Sequence, residues 1–75
     1  MEIKINIVGK EPIIFVDQKQ VSHKEGIKAI LKNRNWSHDD MAHYLRLSKR
    51  TIDGWVIGRK PSNSALVILS FLVNI

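Results

Sequence analysis

The residues best suited to polar recognition lie in one short segment. Lys49 and Arg50 directly follow Ser48, whose hydroxyl can accept an amide hydrogen bond at the start of a helix. Lysine and arginine side chains can donate to O6 and N7 of guanine in the major groove. Asp53 follows within one turn, where it could accept from cytosine N4, although an acid so placed more often orients a neighbour such as Arg50. We therefore expect base contacts from this segment, at Lys49, Arg50, Thr51, Asp53 and Gly54.

The third helix on which these residues would lie is not composed for stability. Lys49 and Arg50 stand at its first positions, where the helix dipole disfavours cations. Gly54, near its middle, costs about 0.5–1 kcal/mol relative to alanine. We interpret Gly54 as a place of close backbone approach to a ligand. A helix that must enter a groove can have this composition.

Phosphate contacts are expected on both sides of this helix. The first amides of the preceding helix form an anion site. Cations just after the third helix add to it, while each of these side chains could instead be simply solvated. The candidates are Ser37, His38, Arg46, Ser48, Arg59 and Lys60.

The sequence gives little support for a metal site or for catalysis. His38 and His43 are five residues apart, which puts them on different helix faces, and the chain has no cysteine to complete a metal site. No spacing of Ser, His and Asp suggests a catalytic triad, and the small size leaves little room for a pocket. We expect no enzyme activity, no cofactor and no metal. Without disulfides or an apolar run of about 18 residues, a cytoplasmic protein with no membrane partner is expected.

The charge distribution agrees with a polyanionic ligand. The net charge is +5, and residues 62–75 carry no charged side chain. Positive and negative side chains balance in residues 1–21, so the excess lies in the middle of the chain. A basic middle favours a polyanion, although a solvated surface would have the same composition.

Hydrophobic periodicity predicts one small domain over residues 1–75. Alternation in Glu2–Ile7, the turn Gly9-Lys10-Glu11-Pro12 and the run Ile13–Val16 predict a hairpin within residues 1–21, which must pack on the rest of the chain or pair with a second copy. Four helices follow in residues 22–75. Serines at 22, 37, 48 and 62 are the predicted N-caps, and the stops are at residues 33–35, 45, 58 and near Val73. The expected fold is thus mainly α.

The two short central helices cross after a tight turn, as in a helix-turn-helix. Residues 38–57 resemble the DNA-binding unit of the Cro/C1-type (XRE-type) repressors, and the resemblance extends over about residues 22–73. It rests on small or apolar residues of the motif core together with the Ser48 cap, Gly58 and Pro61. The core positions are Ala42, Leu45, Leu47, Ile52 and Trp55.

The resemblance implies a lambda-repressor-like domain that binds double-stranded DNA. It also implies that His38 holds the DNA backbone while touching the start of the third helix. One position departs from the family pattern. Arg46 stands where the family often has a glycine in left-handed conformation, which costs an arginine about 1 kcal/mol or more.

The fourth helix is apolar nearly all round from Ala65 to Val73, more than one face of a small domain can bury. A second copy is the simplest partner, and the alternative is that the hairpin covers this helix within one chain. Hairpin and fourth helix could also share an interface. The expected dimer interface consists of Leu66, Leu69, Phe71, Val73, Ile5 and Ile7.

The sequence therefore predicts a sequence-specific repressor that binds a short palindromic operator as a homodimer and regulates its own gene. The resemblance implies a prokaryotic or phage origin. Two alternatives use the same helices differently. One is an antitoxin or other partner-binding protein that uses the hairpin or the fourth helix. The other is a helix-turn-helix scaffold that contacts only proteins.

Overall fold

The computed structural model describes residues 1–7, 9 and 11–74. Lys10, in the predicted turn, lies outside the described residues. A three-stranded sheet precedes four helices, so the fold is mainly helical with a small sheet. The elements are β1 (Ile3–Asn6), β2 (Ile13–Val16), β3 (Lys19–Val21), α1 (His23–Arg34), α2 (His38–Leu45), α3 (Lys49–Val56) and α4 (Asn63–Val73).

The sheet is antiparallel with strand order β1-β2-β3. Ile5 lies opposite Ile14, and Ile14 lies opposite Val21. The hairpin of β1 and β2 confirms the prediction, whereas β3 was not predicted. Asp17 and Gln18 form the tight turn before β3 with φ of 50° and 69°, a geometry that asparagine and glycine usually take. The sequence did not indicate this turn, because the turn contains no glycine.

The predicted helix boundaries are confirmed. Each of the four predicted serines precedes a helix, and its hydroxyl accepts the amide three residues later. At α2 the exchange is reciprocal, because the Asp40 carboxylate also accepts from the Ser37 amide. The local capping chemistry thus explains where each helix begins.

The core lies between the inner face of the sheet and the helices. Helix α1 packs on β2 and α3, and α4 packs on β1. Ile14, Ile27, Ile52 and Leu66 are fully buried there. Gly26 allows a close contact between α1 and β2, since a Cβ atom at this position would lie 2.5 Å from Cδ1 of Ile14.

Burial corrects the predicted dimer interface. Ile5, Leu66 and Leu69 have exposed fractions of only 2%, 0% and 0% within one chain. They are not available to a second molecule because β1 covers α4, as the single-chain alternative required. Val73 is half-buried against the same core. Phe71 and Ile7 remain exposed, at 71% and 47%.

The last turn of the chain is joined to β1 and α1 by side chains. The Asn74 side chain accepts from the Ile5 amide at 3.1 Å and donates to the Ile5 carbonyl at 2.9 Å. Arg34, at the end of α1, donates to the Leu72 carbonyl at 2.9 Å. The outer edge of β1 is therefore paired at Ile5 by a side-chain amide.

Among the described residues, the helices are all too short or too polar to cross a bilayer.

Candidate nucleic-acid interface

The central pair of helices is held together by its apolar inner faces. We use the term α2–α3 unit for residues 38–56, in which residues 46–48 connect the two helices. Four of the five residues assigned to the motif core are buried, namely Ala42, Leu45, Ile52 and Trp55. Leu47 is not, because its position in the connecting turn leaves the side chain 41% exposed. Its assignment to the core is therefore wrong.

Helix α2 ends at Arg46 in the left-handed region, with φ 58° and ψ 43°. In this conformation the Arg46 amide can donate to the carbonyls of Ala42 and His43, which lack partners at the end of the helix. The arginine thus adopts the strained backbone expected at this position. Its side chain is exposed beside the turn.

The outer face of α3 carries the predicted base-contacting residues. Lys49 and Arg50 are exposed at its first two positions. Arg50, Gly54 and Ile57 are spaced at i, i+4 and i+7, which places them along one stripe of the helix. Ile57 is 77% exposed, an unusual setting for an isoleucine. The face therefore combines cationic donors at one end with an apolar side chain at the other.

Asp53 connects the starts of α2 and α3. Its Oδ1 lies 2.6 Å from Nδ1 of His38, and its Oδ2 lies 3.1 Å from Nζ of Lys49. Asp53 thus has the expected orienting contacts, but with His38 and Lys49 instead of Arg50. Lys49 is in reach because it lies one turn back on the same helix face. We call this set of three side chains the Asp53 bridge. The resemblance implied that His38 touches the start of the third helix, but it did not identify Asp53 as the partner, because nothing local relates residues 15 positions apart.

The two partners also alter the titration of Asp53. The hydrogen bond from His38, followed by that from Lys49, lowers the pKa of the Asp53 carboxyl below its ordinary value of 3.8. Both contacts favour the ionised form. The Asp53 bridge therefore holds a carboxylate at neutral pH.

The hydroxyls assigned to phosphate contacts are already engaged. Ser37 donates its amide to Asp40 Oδ2 at 2.9 Å and accepts the Asp40 amide at 3.1 Å. Ser48 accepts the Thr51 amide, and the two hydroxyl oxygens lie 3.0 Å apart. Capping uses these groups inside the chain. His38 uses its Nδ1 for Asp53, so its other ring nitrogen is the better-placed phosphate candidate at the start of α2.

The two cations after α3 have different surroundings. Lys60 forms an ion pair with Glu11 of the β1–β2 turn, and this contact lowers the pKa of the Glu11 carboxyl. The Arg59 side chain has no hydrogen bond or salt bridge to another residue that the structure describes. Lys60 is thus partly neutralised by the hairpin, whereas the Arg59 guanidinium is available to a ligand.

Gly54 is covered by the stem of Arg59. A Cβ atom at residue 54 would lie 3.0 Å from Cδ, 3.7 Å from Cγ and 3.8 Å from Cβ of Arg59. The Arg59 amide also donates to the Gly54 carbonyl at 2.9 Å. Our interpretation of Gly54 as open to a ligand's close approach is therefore corrected. The feature of the sequence that could have indicated this contact is a glycine inside a helix followed by an arginine five positions later.

The remaining aromatic and titratable groups form no second site. The rings of Trp36 and Tyr44 pack 5.2 Å apart at the edge of the core. Across residues 1–7, 9 and 11–74, no three His, Asp or Glu side chains are grouped as a metal ion would require. No family model, curated protein or solved structure matches the chain.

Proposed function

We propose that the protein is a sequence-specific DNA-binding repressor in which the α2–α3 unit serves as a lambda-repressor-like helix-turn-helix. In this proposal α3 enters the major groove, and the start of α2 lies against the adjacent phosphates. Occupation of an operator would block transcription. The proposal includes regulation of the protein's own gene.

The Asp53 bridge is the observation that carries the proposal. By binding both His38 and Lys49, it keeps a donor at the start of α2 beside a donor at the start of α3. A helix that reads base edges needs its register fixed by contacts to the backbone of the same duplex. The bridge supplies the rigid relation between the two kinds of contact.

Charge supports the same face. Arg50, Arg46 and Arg59 are exposed around the α2–α3 unit, and their side chains form no hydrogen bond or salt bridge with any residue that the structure describes. Arginine binds guanine and phosphate through two parallel hydrogen bonds. Exposed, unpaired arginines around an amphipathic helix suit a polyanionic duplex.

A homodimer completes the proposal, with a corrected interface. Phe71 and Ile68 lie one turn apart on α4 and are 71% and 42% exposed. Leu47 lines the same cleft as Ile68 and adds to this surface, which we call the apolar stripe. Twofold pairing through it would bring two copies of α3 to one duplex and favour a palindromic operator.

The apolar stripe also supports the partner-binding alternative. An antitoxin would bury Phe71 against a different protein instead of against a second copy. The two functions differ in the free chain, since a repressor dimer forms without any other protein. The oligomeric state of the purified chain therefore separates them.

The first experiment is fluorescence anisotropy with duplex DNA from upstream of the protein's own gene, compared with a scrambled duplex at two salt concentrations. We expect binding about a thousandfold tighter to the native duplex. Arg50→Ala should weaken specific binding by about 1–3 kcal/mol and relax base preference. Lys28→Ala, which removes an exposed cation of α1, should leave the preference unchanged. Binding to neither duplex would contradict the proposal.

A further inference from the structure

We propose that Arg59, although it follows α3 in sequence, is a base-reading residue and thus a determinant of operator specificity. The inference rests on the proposed function. It differs from the sequence-based expectation, which made Arg59 a phosphate contact. The difference matters because a phosphate contact strengthens binding to every sequence alike, whereas a base contact selects one base pair.

Gly54 has a central position on the outer face of α3. It stands at the middle of the outer stripe, between Arg50 one turn earlier and Ile57 one turn later. A side chain at this place would face the same groove as Arg50. Glycine supplies none, so the middle of the reading surface has no group of its own.

The Arg59 side chain occupies the place that a side chain at residue 54 would fill. Three carbons of its stem lie within 4 Å of where the Gly54 Cβ would be, and the nearest is Cδ at 3.0 Å. Because Nε is bonded directly to Cδ, the guanidinium begins one bond beyond the atom that covers Gly54. The arginine therefore presents its donors at the surface of α3 in place of a residue-54 side chain.

The backbone holds the start of the Arg59 side chain beside α3, and no acidic group that the structure describes draws the guanidinium away. The hydrogen bond of 2.9 Å from the Arg59 amide to the Gly54 carbonyl fixes the start of the side chain relative to α3. No acidic side chain among the described residues pairs with the Arg59 guanidinium. Lys60 differs in this respect, because it binds Glu11. The five donors of the guanidinium are thus free for a guanine edge.

Ile57 defines what else this part of the surface can recognise. It is 77% exposed and lies on the same stripe beyond Gly54. An apolar side chain can contact the methyl group of thymine. The stripe therefore presents, in order, the guanidinium of Arg50, that of Arg59 and an apolar group.

The test begins with selection of bound duplexes from a pool of 25-base-pair DNA with a randomised centre, using the intact wild-type chain. The enriched sequence and all its single base-pair variants are then titrated with wild type and Arg59→Ala. We expect Arg59→Ala to lose about 5- to 150-fold of discrimination at one base pair, or at its symmetry mate, and little elsewhere. Arg59→Lys should keep the salt dependence but lose most of that discrimination, because lysine lacks the planar fork.

A variant at Gly54 provides an independent readout. Gly54→Leu fills the place of the Arg59 stem with a good helix former that has no donor. It should relax the same base pair as Arg59→Ala, and the double variant should lose no more discrimination than either single variant. Circular dichroism and urea unfolding would verify that each variant is folded.

Two results would overturn the inference in distinguishable ways. If Arg59→Ala weakened all duplexes by one common factor and lowered the salt slope by about one, Arg59 would be a phosphate contact while the repressor function stood. If the wild-type chain enriched no sequence from the pool, the proposed function would fail and this inference would fail with it. Relaxation at different base pairs by the two variants would also contradict the shared position of Arg59 and Gly54.

Discussion

Arg46 takes up a backbone conformation that glycine would adopt with less strain. Its φ of 58° and ψ of 43° lie in the left-handed region. We expect Arg46→Gly to stabilise the fold by about 0.5–1 kcal/mol, since the relief of strain exceeds the added entropy of the unfolded chain. Urea unfolding measures this change.

Asn35 supplies the matched control for Arg46. It ends α1 with nearly the same dihedral angles, φ 55° and ψ 43°, but asparagine tolerates this region. Asn35→Gly should therefore change stability by less than about 0.5 kcal/mol. Equal effects of the two substitutions would show that Arg46 is not strained. Weaker DNA binding by the more stable Arg46→Gly variant would fit the proposed phosphate contact.

The Asp53 bridge predicts a pH dependence of stability. Because its contacts lower the pKa of Asp53 in the folded chain below 3.8, they stabilise the fold above the unfolded pKa. This contribution is lost as pH falls through the folded value. Wild type should therefore exceed Asp53→Asn in stability at pH 7, and the difference should shrink by pH 3.

Urea unfolding at both pH values tests this sign. Asp39→Asn removes the same charge from the first turn of α2 and is the control for charge alone. A gap between wild type and Asp53→Asn that widened on acidification would contradict the bridge. In DNA titrations, we expect Asp53→Asn to weaken specific binding, because His38 and Lys49 lose their common anchor.

At the scale of single residues, the sequence was informative where the cause is local. The left-handed conformation of Arg46 was expected from the resemblance, while the end of α2 before it and the Ser48 cap after it are local signals. The partner of Asp53 and the cover of Gly54 depend on how helices and loops meet in space. Periodicity contains no information on such contacts.

At the scale of elements, the approach of α1 to β2 depends on Gly26. A Cβ there would lie 2.5 Å from Cδ1 and 2.7 Å from Cγ2 of Ile14, and Ile14 is fully buried. We expect Gly26→Ala to destabilise the fold by about 1–3 kcal/mol through overpacking, despite the better helix propensity of alanine. Thermal or urea unfolding gives the value.

Gly54→Ala is the control for that experiment, because it makes the same substitution inside another helix. The three nearest atoms to its new Cβ outside the helix backbone would belong to the flexible stem of Arg59, the first at 3.0 Å. Stability should stay unchanged or rise by up to about 1 kcal/mol. If both variants were stabilised, α1 could move from the sheet at little cost.

Element boundaries were predictable because serine caps and left-handed ends are local signals. The exception was β3, whose three residues are too few to show alternation and whose turn has no glycine. Its pairing with β2 is a tertiary effect. Helix α4 shows the opposite case, since its apolar surplus predicted an interface that β1 largely fills within the chain.

At the scale of the whole molecule, the apolar stripe predicts self-association. We expect Phe71→Glu to convert a dimer into an 8.6 kDa monomer, because a carboxylate at a twofold interface would meet its own copy. Sedimentation velocity at micromolar concentration measures the change. Ile57→Glu introduces the same carboxylate at another exposed apolar residue, one outside the apolar stripe, and should leave the dimer intact.

A wild-type chain that sediments as a monomer up to about 100 µM would contradict the dimer. If monomers formed a stable complex only with another protein, the partner-binding alternative would gain support. The composition predicted a single domain, but which apolar side chains remain outside the core depended on the sheet. That is why Phe71 stays an interface candidate while Leu66 and Leu69 do not.

The link between Asn74 and Ile5 has a consequence for the order of synthesis. Because synthesis runs from the N-terminus to the C-terminus, β1 obtains this edge partner only when a residue 69 positions later has been added. At about 5–20 residues per second, β1 waits several seconds with these edge groups unpaired. During this time, nascent chains on the same messenger RNA expose the unpaired edge of β1 to one another. We therefore expect strand mispairing between nascent chains to occur mainly before Asn74 is added.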